Sequence, residues 1–138
     1  MNDSLLTEKS TLTLAAAKKI IAASEAEALK HAWPVVIAVV DDGGNLICLQ
    51  RLDNAQFGSV DIAIRKASAA VAFKRPTKDW EELLAGGQQR VLGLPGVLPS
   101  EGGVPLTWKG QIIGAIGVSG VKASEDGQIA RAGASVLE

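Results

Sequence analysis

Few side chains in these 138 residues can do acid–base, nucleophilic or metal chemistry, and their sparseness is informative. Histidine occurs once (His31), cysteine once (Cys48), tyrosine not at all, and Met1 is the only methionine. A zinc site takes three or four His, Cys or carboxylate ligands, and here only His31 and Cys48 offer nitrogen or sulfur. A Ser–His–Asp triad would have to use His31, and no Gly-x-Ser-x-Gly elbow presents a serine. Metallohydrolase and serine hydrolase chemistry are therefore disfavoured. What remains is a set of charges set into apolar surroundings. The stretch "VVIAVVDDGGNLICLQRLDNA", residues 35–55, runs two apolar segments into Arg51 and Asp53. Lys66 has Ile62, Ala69, Ala70 and Phe73 at helical spacing around it, whereas Arg65 shares a polar side with Asp61, Ser68 and Ala72.

A lysine in an apolar arc has three uses. It snorkels to the rim, it pairs with a carboxylate such as Asp53, or it meets a ligand. A desolvated lysine can also act as a base, which makes Lys66 the candidate catalytic residue. Strand alternation puts Ile47, Leu49, Arg51 and Asp53 on one face. If that face lies under the helix carrying Lys66, the three charges converge, and Asp53 orients two cations into a net positive pocket. "EGGVP", residues 101–105, is either a backbone N–H nest for a carboxylate or a plain turn into a strand. Arg51, Asp53, Lys66, Gly102 and Gly103 are thus the expected ligand-binding set. The later segment "GVSG" also precedes a helix, but Glu125 and Asp126 there would repel an anion.

These residues need a scaffold. Residues 14–32 read as a helix capped by Thr13 and stopped by Pro34. Residues 35–40 are apolar without alternation, hence a strand covered on both faces and central in its sheet. "DDGG" is hairpin-turn chemistry, and residues 45–52 return antiparallel. A second helix is expected over 60–74, capped by Ser59 and ended before Pro76. Thr77 then caps a short one, "KDWEELLAG". Residues 86–103 are rich in Gly and Pro, a long loop of the kind that serves as a lid or binding loop. "VPLTW", a Lys109-Gly110 turn and "QIIGAIGVS" make a second hairpin. Gly114 and Gly117 within it mark close approach by a backbone or ligand. Ser124 caps a last helix. Hairpins make antiparallel neighbours, so the order predicts an antiparallel sheet with flanking helices, an α/β chain of α+β type, and no dinucleotide-binding crossover.

Length and composition set the class. One domain over 1–138 is expected, with residues 1–12, polar at the start, as a flexible N-terminus. Lys plus Arg is 14 against 15 Asp plus Glu, a balance that argues against nucleic acid as a partner. Cys48 can form no internal disulfide and reads as a small core residue. Neither a signal peptide nor a membrane-spanning run is visible, so a cytoplasmic protein with no membrane partner is expected. Trp33, Trp80 and Trp108 are isolated and read as core or interface.

Four blocks in order, "VVIAVVDDGGNLICLQRLDNA", "IRKASAAVAFKRPT", "EGGVPLTWKGQIIGAIGVSG" and "EDGQIARAGA", make the chain resemble the GlcG/HbpS family from about Thr13 to Val136. That family includes the C-terminal domain of PduO-type proteins and the OrfY-type proteins of diol-utilisation operons. The resemblance implies a profilin-like α/β/α layered domain with an antiparallel sheet of about five strands, assembled into homo-oligomers. Some members bind haem, which makes haem the one candidate cofactor here, and others have a place beside enzymes of glycolate or diol catabolism. Family members carry R-x-D-G-A where this chain has Arg51-Leu52-Asp53-Asn54-Ala55, and Asn tolerates the left-handed backbone that Gly favours. If haem is bound, His31 is the axial candidate. Its alternative role is a histidine at a helix C-terminus, complementing the dipole. The expected function is an oligomeric binding protein for haem or a related anionic amphipathic ligand. The alternative is an enzyme acting on a small carboxylate or hydroxy acid, with Arg51 orienting the anion and Lys66 moving the proton.

Overall fold

Strand β1 (Val36–Asp41) lacks alternation because both its faces are covered. Val36, Ala38 and Val40 pack toward one helical layer, and Ile37 and Val39 toward the other. The computed structural model, which describes residues 3–138, sets β1 between β2 (Leu46–Arg51) and β4 (Gln111–Ser119), with β3 (Gly103–Trp108) beyond β4. Every neighbouring pair is antiparallel. The sheet therefore has four strands in the order β2-β1-β4-β3, not about five. Two hairpins supply all four. The Gly- and Pro-rich connection before β3 holds a 3₁₀ turn (Gln89–Gly93) and no strand, as its composition disfavours ladder pairing.

Helices α1 (Leu14–Lys30) and α4 (Ala123–Ala134) cover the Ile37–Val39 face through Ile20, Ile21, Ile129 and Ala130. Helix α2 (Gly58–Phe73) covers the other through Ala63, Ala67 and Ala70. Helix α3 (Thr77–Ala85) joins this second layer, with Trp80 edge-on to Phe73 at 5.3 Å between centroids. The result is an α/β/α arrangement on an antiparallel sheet, an α+β fold. Thr13 caps α1 as expected, its hydroxyl accepting from Ala16 N at 3.1 Å. The other caps differ. Helix α2 begins one residue before Ser59, whose hydroxyl accepts from the Gln56 amide. Thr77 is the first residue of α3, and Ser124 lies inside α4. At α4, Glu125 Oε1 accepts from Lys122 N. Of residues 1–12, Met1 and Asn2 lie outside the described residues. Further on, Lys9 pairs with Asp42 and Leu12 packs against the core beside Gly114. Among the described residues, no helix is long and apolar enough to cross a membrane.

Two irregularities decide which side chains can meet. The β1–β2 register steps from Val39↔Cys48 to Val40↔Leu46, so Ile47 is an extra residue, a β-bulge. Leu49 consequently packs with Val36, Ala38 and Ala63, whereas Ile47 packs against the opposite cluster. The expected single face Ile47–Leu49–Arg51–Asp53 is broken at its first member. The second irregularity is the close seat of α2. Gly103 and Gly117 are register partners. A Cβ at Gly117 would overlap the Ala63 carbonyl oxygen, and one at Gly103 the Lys66 carbonyl oxygen. Two facing glycines thus let the helix backbone rest on the sheet backbone.

Gly117→Ala should accordingly force α2 off the sheet and cost about 1–3 kcal/mol in urea denaturation, the range for overpacking a filled interior. Gly58→Ala, at a helix start with nothing within 4 Å of the new methyl, should be neutral or stabilise by about 0.4–1 kcal/mol. Equal midpoints for the two variants would mean that α2 does not lie where it is described.

Candidate functional site

Lys66 leaves α2 beside the paired glycines. Its ammonium donates to Val118 O and to Asp126 Oδ2, both at 3.0 Å. The side chain is 2% exposed. Asp126 Oδ1 accepts from Val121 N at 3.1 Å. A cation from one helical layer thus reaches round the end of β4 to a carboxylate in the other. Burial pushes the Asp126 carboxyl above its ordinary value, while the Lys66 ammonium and the Val121 and Gly120 N–H groups pull it back. The carboxylate partner of Lys66 is therefore Asp126 and not Asp53. The reason is topological: Arg51 ends the edge strand β2 and Asp53 follows it, whereas Lys66 reaches β4 and the start of β3, with β1 in between.

Gly102 and Gly103 do adjoin Lys66. A Cβ at Gly102 would stand 2.8 Å from Lys66 Nζ, and Gly102 has φ +138°. Their segment holds a carboxylate, but one from the chain itself. Glu101 N donates to Glu81 Oε1 at 3.1 Å, and Gly103 N donates to Thr77 Oγ1 at 2.9 Å. Glu101 in turn pairs with Arg131 at 2.8 Å, its side chain crossing α4 at Gly127. Asp126, Glu101, Glu81 and Thr77 complete this buried polar knot. Sequence reasoning missed them as partners, because Asp126 stood only as an acid repelling anions at a helix start and Glu81 only as part of the short helix "KDWEELLAG". The signal available was the lysine itself, since a buried cation in an apolar arc calls for a carboxylate partner.

Arg51 and Asp53 line a different feature, an open cleft of about 470 Å³ between the C-terminal turn of α1 and the end of β2. Leu29, Trp33, Pro34 and Leu52 form its apolar wall, and Glu25 and Asp53 its acidic rim. Arg51 is the one cation lining it, so with Lys66 elsewhere the expected net positive pocket does not form. A second concavity, of about 440 Å³, adjoins it through residues 51–54 and ends at Phe57. Asn54 sits at φ +70°, the left-handed position expected of it. Lys66 lines neither concavity.

His31 is joined to the cleft through Trp33, which lines it and stacks on the imidazole, with centroids 4.2 Å apart. His31 Nε2 lies 3.1 Å from Glu27 Oε2 and 3.3 Å from Gln128 Nε2, and Gln128 donates to the same Glu27 oxygen at 2.8 Å. The Gln128 amide, opposed by burial and helped by the His31 ring, holds the Glu27 carboxyl below its ordinary value. Cys48 packs against the core, as expected. Among the described residues, no group of three or more His, Cys, Asp or Glu side chains could hold a metal ion.

Residues 12–135 match the family described as haem degrading protein, HbpS-like. The chain belongs to that family. Among its relatives, Protein GlcG of Escherichia coli K12 is 45% identical over 103 residues, 75% of this chain and 77% of that protein. A crystal structure of a double mutant of Streptomyces reticuli HbpS is 40% identical, with a TM-score of 0.88 over 100% of this chain and 94% of that one. A solved PduOC:Heme complex is 26% identical, with a TM-score of 0.83 over 94% of this chain and 96% of that one. The HbpS-like fold thus extends over the whole chain, and a haem complex has been solved for one structure that shares it.

The buried pair makes its own prediction. Lys66→Met should destabilise by about 3–5 kcal/mol, because Asp126 is left buried and unpaired. Adding Asp126→Asn, which keeps an acceptor for Val121 N, should recover most of the loss. In Lys66→Met the folded-state carboxyl rises further, so the folded protein tolerates Asp126 only when protonated. The deficit should then be smallest in acid, grow as pH rises from the ordinary carboxylate range toward that raised value, and level off above it. Chemical denaturation across pH checks both; a Lys66→Met deficit that does not vary with pH would refute the pairing.

Proposed function

We propose that this protein binds haem, or an anionic amphipathic ligand of that kind, in the cleft centred on Trp33. The arrangement around that indole carries the reading. Trp33 joins an apolar wall with a cation at its rim to the chain's one imidazole. Haem asks for those three things: apolar surface for the macrocycle, a cation for a propionate, and a donor for iron. Leu29, Trp33 and Leu52 offer the first, Arg51 the second and His31 the third. Cys48, the other strong donor, packs against the core. The residues fit the group, with the acidic rim of Glu25 and Asp53 weakening its appeal for strongly anionic molecules. The solved haem complex of a structural relative supports the same reading. Bound haem would supply the iron chemistry. The chain's own residues bind it, orient it through Arg51 and present an imidazole to the metal.

Haem titration should give saturable uptake with a histidine-type Soret band. His31→Ala should change that band. Arg51→Ala should keep it and weaken binding by about fivefold, the upper end for an exposed ion pair worth about 1 kcal/mol. No saturable uptake would overturn the reading, and an unchanged spectrum and affinity in His31→Ala would remove His31 as the ligand.

We propose also that the protein works as a homo-oligomer. Both β2 and β3 are edge strands, and apolar side chains stand exposed near the β2 side: Phe57 is 82% exposed and Leu29 63%. An edge of that kind is a ready surface for a second copy. Light scattering behind size exclusion at micromolar protein should show a dimer or larger, and a sole species of 14.3 kDa would refute it.

A further inference from the structure

The imidazole that the haem reading needs is already engaged at one nitrogen. His31 Nε2 faces Glu27 Oε2 at 3.1 Å and Gln128 Nε2 at 3.3 Å. Gln128 Nε2 stands 2.8 Å from the same Glu27 oxygen. A carboxylate oxygen only accepts and an amide nitrogen only donates. The arrangement that satisfies the charged partner has His31 Nε2–H and Gln128 N–H converging on Oε2, at the cost of setting those two donors 3.3 Å apart. Moving the ring proton to Nδ1 would aim the Nε2 lone pair at the carboxylate. Trp33 fixes the ring's plane, and the two hydrogen bonds fix its rotation. Lys30, the other charge acting on Glu27, adds a further pull on that carboxylate.

Haem iron needs a ring nitrogen with a free lone pair and room for the macrocycle. Nδ1 lies next to the side chain's own Cβ, so a flat ring system centred there would meet the main chain; Nε2 is the open nitrogen. We infer that Glu27 on α1, held in place by Gln128 on α4, forms a latch that competes with iron for His31 Nε2, so that axial ligation requires the His31–Glu27 hydrogen bond to break. The latch rests on the haem reading for its purpose, though not for its geometry. It makes Glu27 and Gln128 positioning residues that lower the affinity and favour release. Gln128 also ties the latch to the buried knot, because it lies two residues from Asp126 in the first turns of α4.

With one histidine in the chain, the ring can be read without ambiguity by ¹⁵N–¹H NMR of the labelled protein without haem. The latch requires the ring proton on Nε2, and a neutral ring protonated at Nδ1 overturns it whatever haem does. Haemin titration then tests competition. Glu27→Ala should bind haem about fivefold more tightly than the parent, as expected from losing one partly exposed contact of this type. Gln128→Ala should gain less, and both should show the parent's Soret band. Adding His31→Ala to Glu27→Ala should abolish the gain. Haem uptake by the parent with unchanged or weaker binding in both latch variants would overturn the competition and leave the haem reading standing. No uptake by the parent or either variant would overturn the haem reading and the competition together, with the ring proton still reporting the contact itself.

Discussion

The Lys66–Asp126 pair is the interaction on which the two helical layers depend for their mutual placement. Hydrophobic contacts are non-directional, and the alanine-rich faces of α1, α2 and α4 would pack in several registers with little to choose between them. A buried ammonium allows no such latitude. It must reach Asp126, and it can do so only where α2 lies against the backbone of β3 and β4 and where α4 begins just past Val121. Gly103 and Gly117 are the steric condition for that reach, and Val118 O supplies a second acceptor. A well-packed apolar pair would stabilise as well or better. The specific gain here is a fixed end to the sheet, from which Glu101, Arg131 and Thr77 extend the same polar knot toward α3.

Much of this was legible in the chain. Unbroken hydrophobicity in β1 told of two covered faces, the Asp-Gly and Lys-Gly turns told of hairpins, and Gly117 told of a close backbone. Lys66 was identifiable as an anomaly because its helical neighbours are apolar. What failed was long-range geometry. A one-residue bulge at Ile47 shifts a strand's faces without altering its composition, so alternation carried across it misassigns Ile47. The partner of Lys66 lies 60 residues away in sequence, and Asp126 has an adequate local explanation as an acid at a helix start. Local sufficiency hid the tertiary role. The backbone N–H groups that Glu101–Gly103 offered to a ligand go likewise to the chain itself, Glu101 N to Glu81 and Gly103 N to Thr77.

The separation of knot from cleft has a physical logic. A site that must admit a large flat molecule needs exposed apolar wall and side chains free to shift, which cost stability. A clamp between layers needs dehydration and complete hydrogen bonding. One locus cannot meet both demands. Here the sheet divides them: the Lys66–Asp126 pair beyond the end of β4 is dry and cross-linked, while the cleft at the β2 edge carries Trp33 and Arg51, with the exposed Phe57 nearby. Arg51 and Lys66, drawn together by their shared charge and by strand alternation, therefore belong to different tasks.

His31 stands between these regimes. Its ring rests on Trp33, part of the open cleft, while its Nε2–H donates to Glu27, which Gln128, on the helix that anchors the knot, also holds. A histidine so placed senses both: a ligand that draws on the imidazole takes it from the Glu27 carboxylate that α4 also holds. That contact is partly exposed and held by two hydrogen bonds, whereas Ser24 and Ile129 nearby join the same helices by a buried one at 2.8 Å. The helices are thus pinned at the buried point, and only the outer contact is free to yield. Opening can stay local to the last turn of α1, without disturbing the core against which both helices pack.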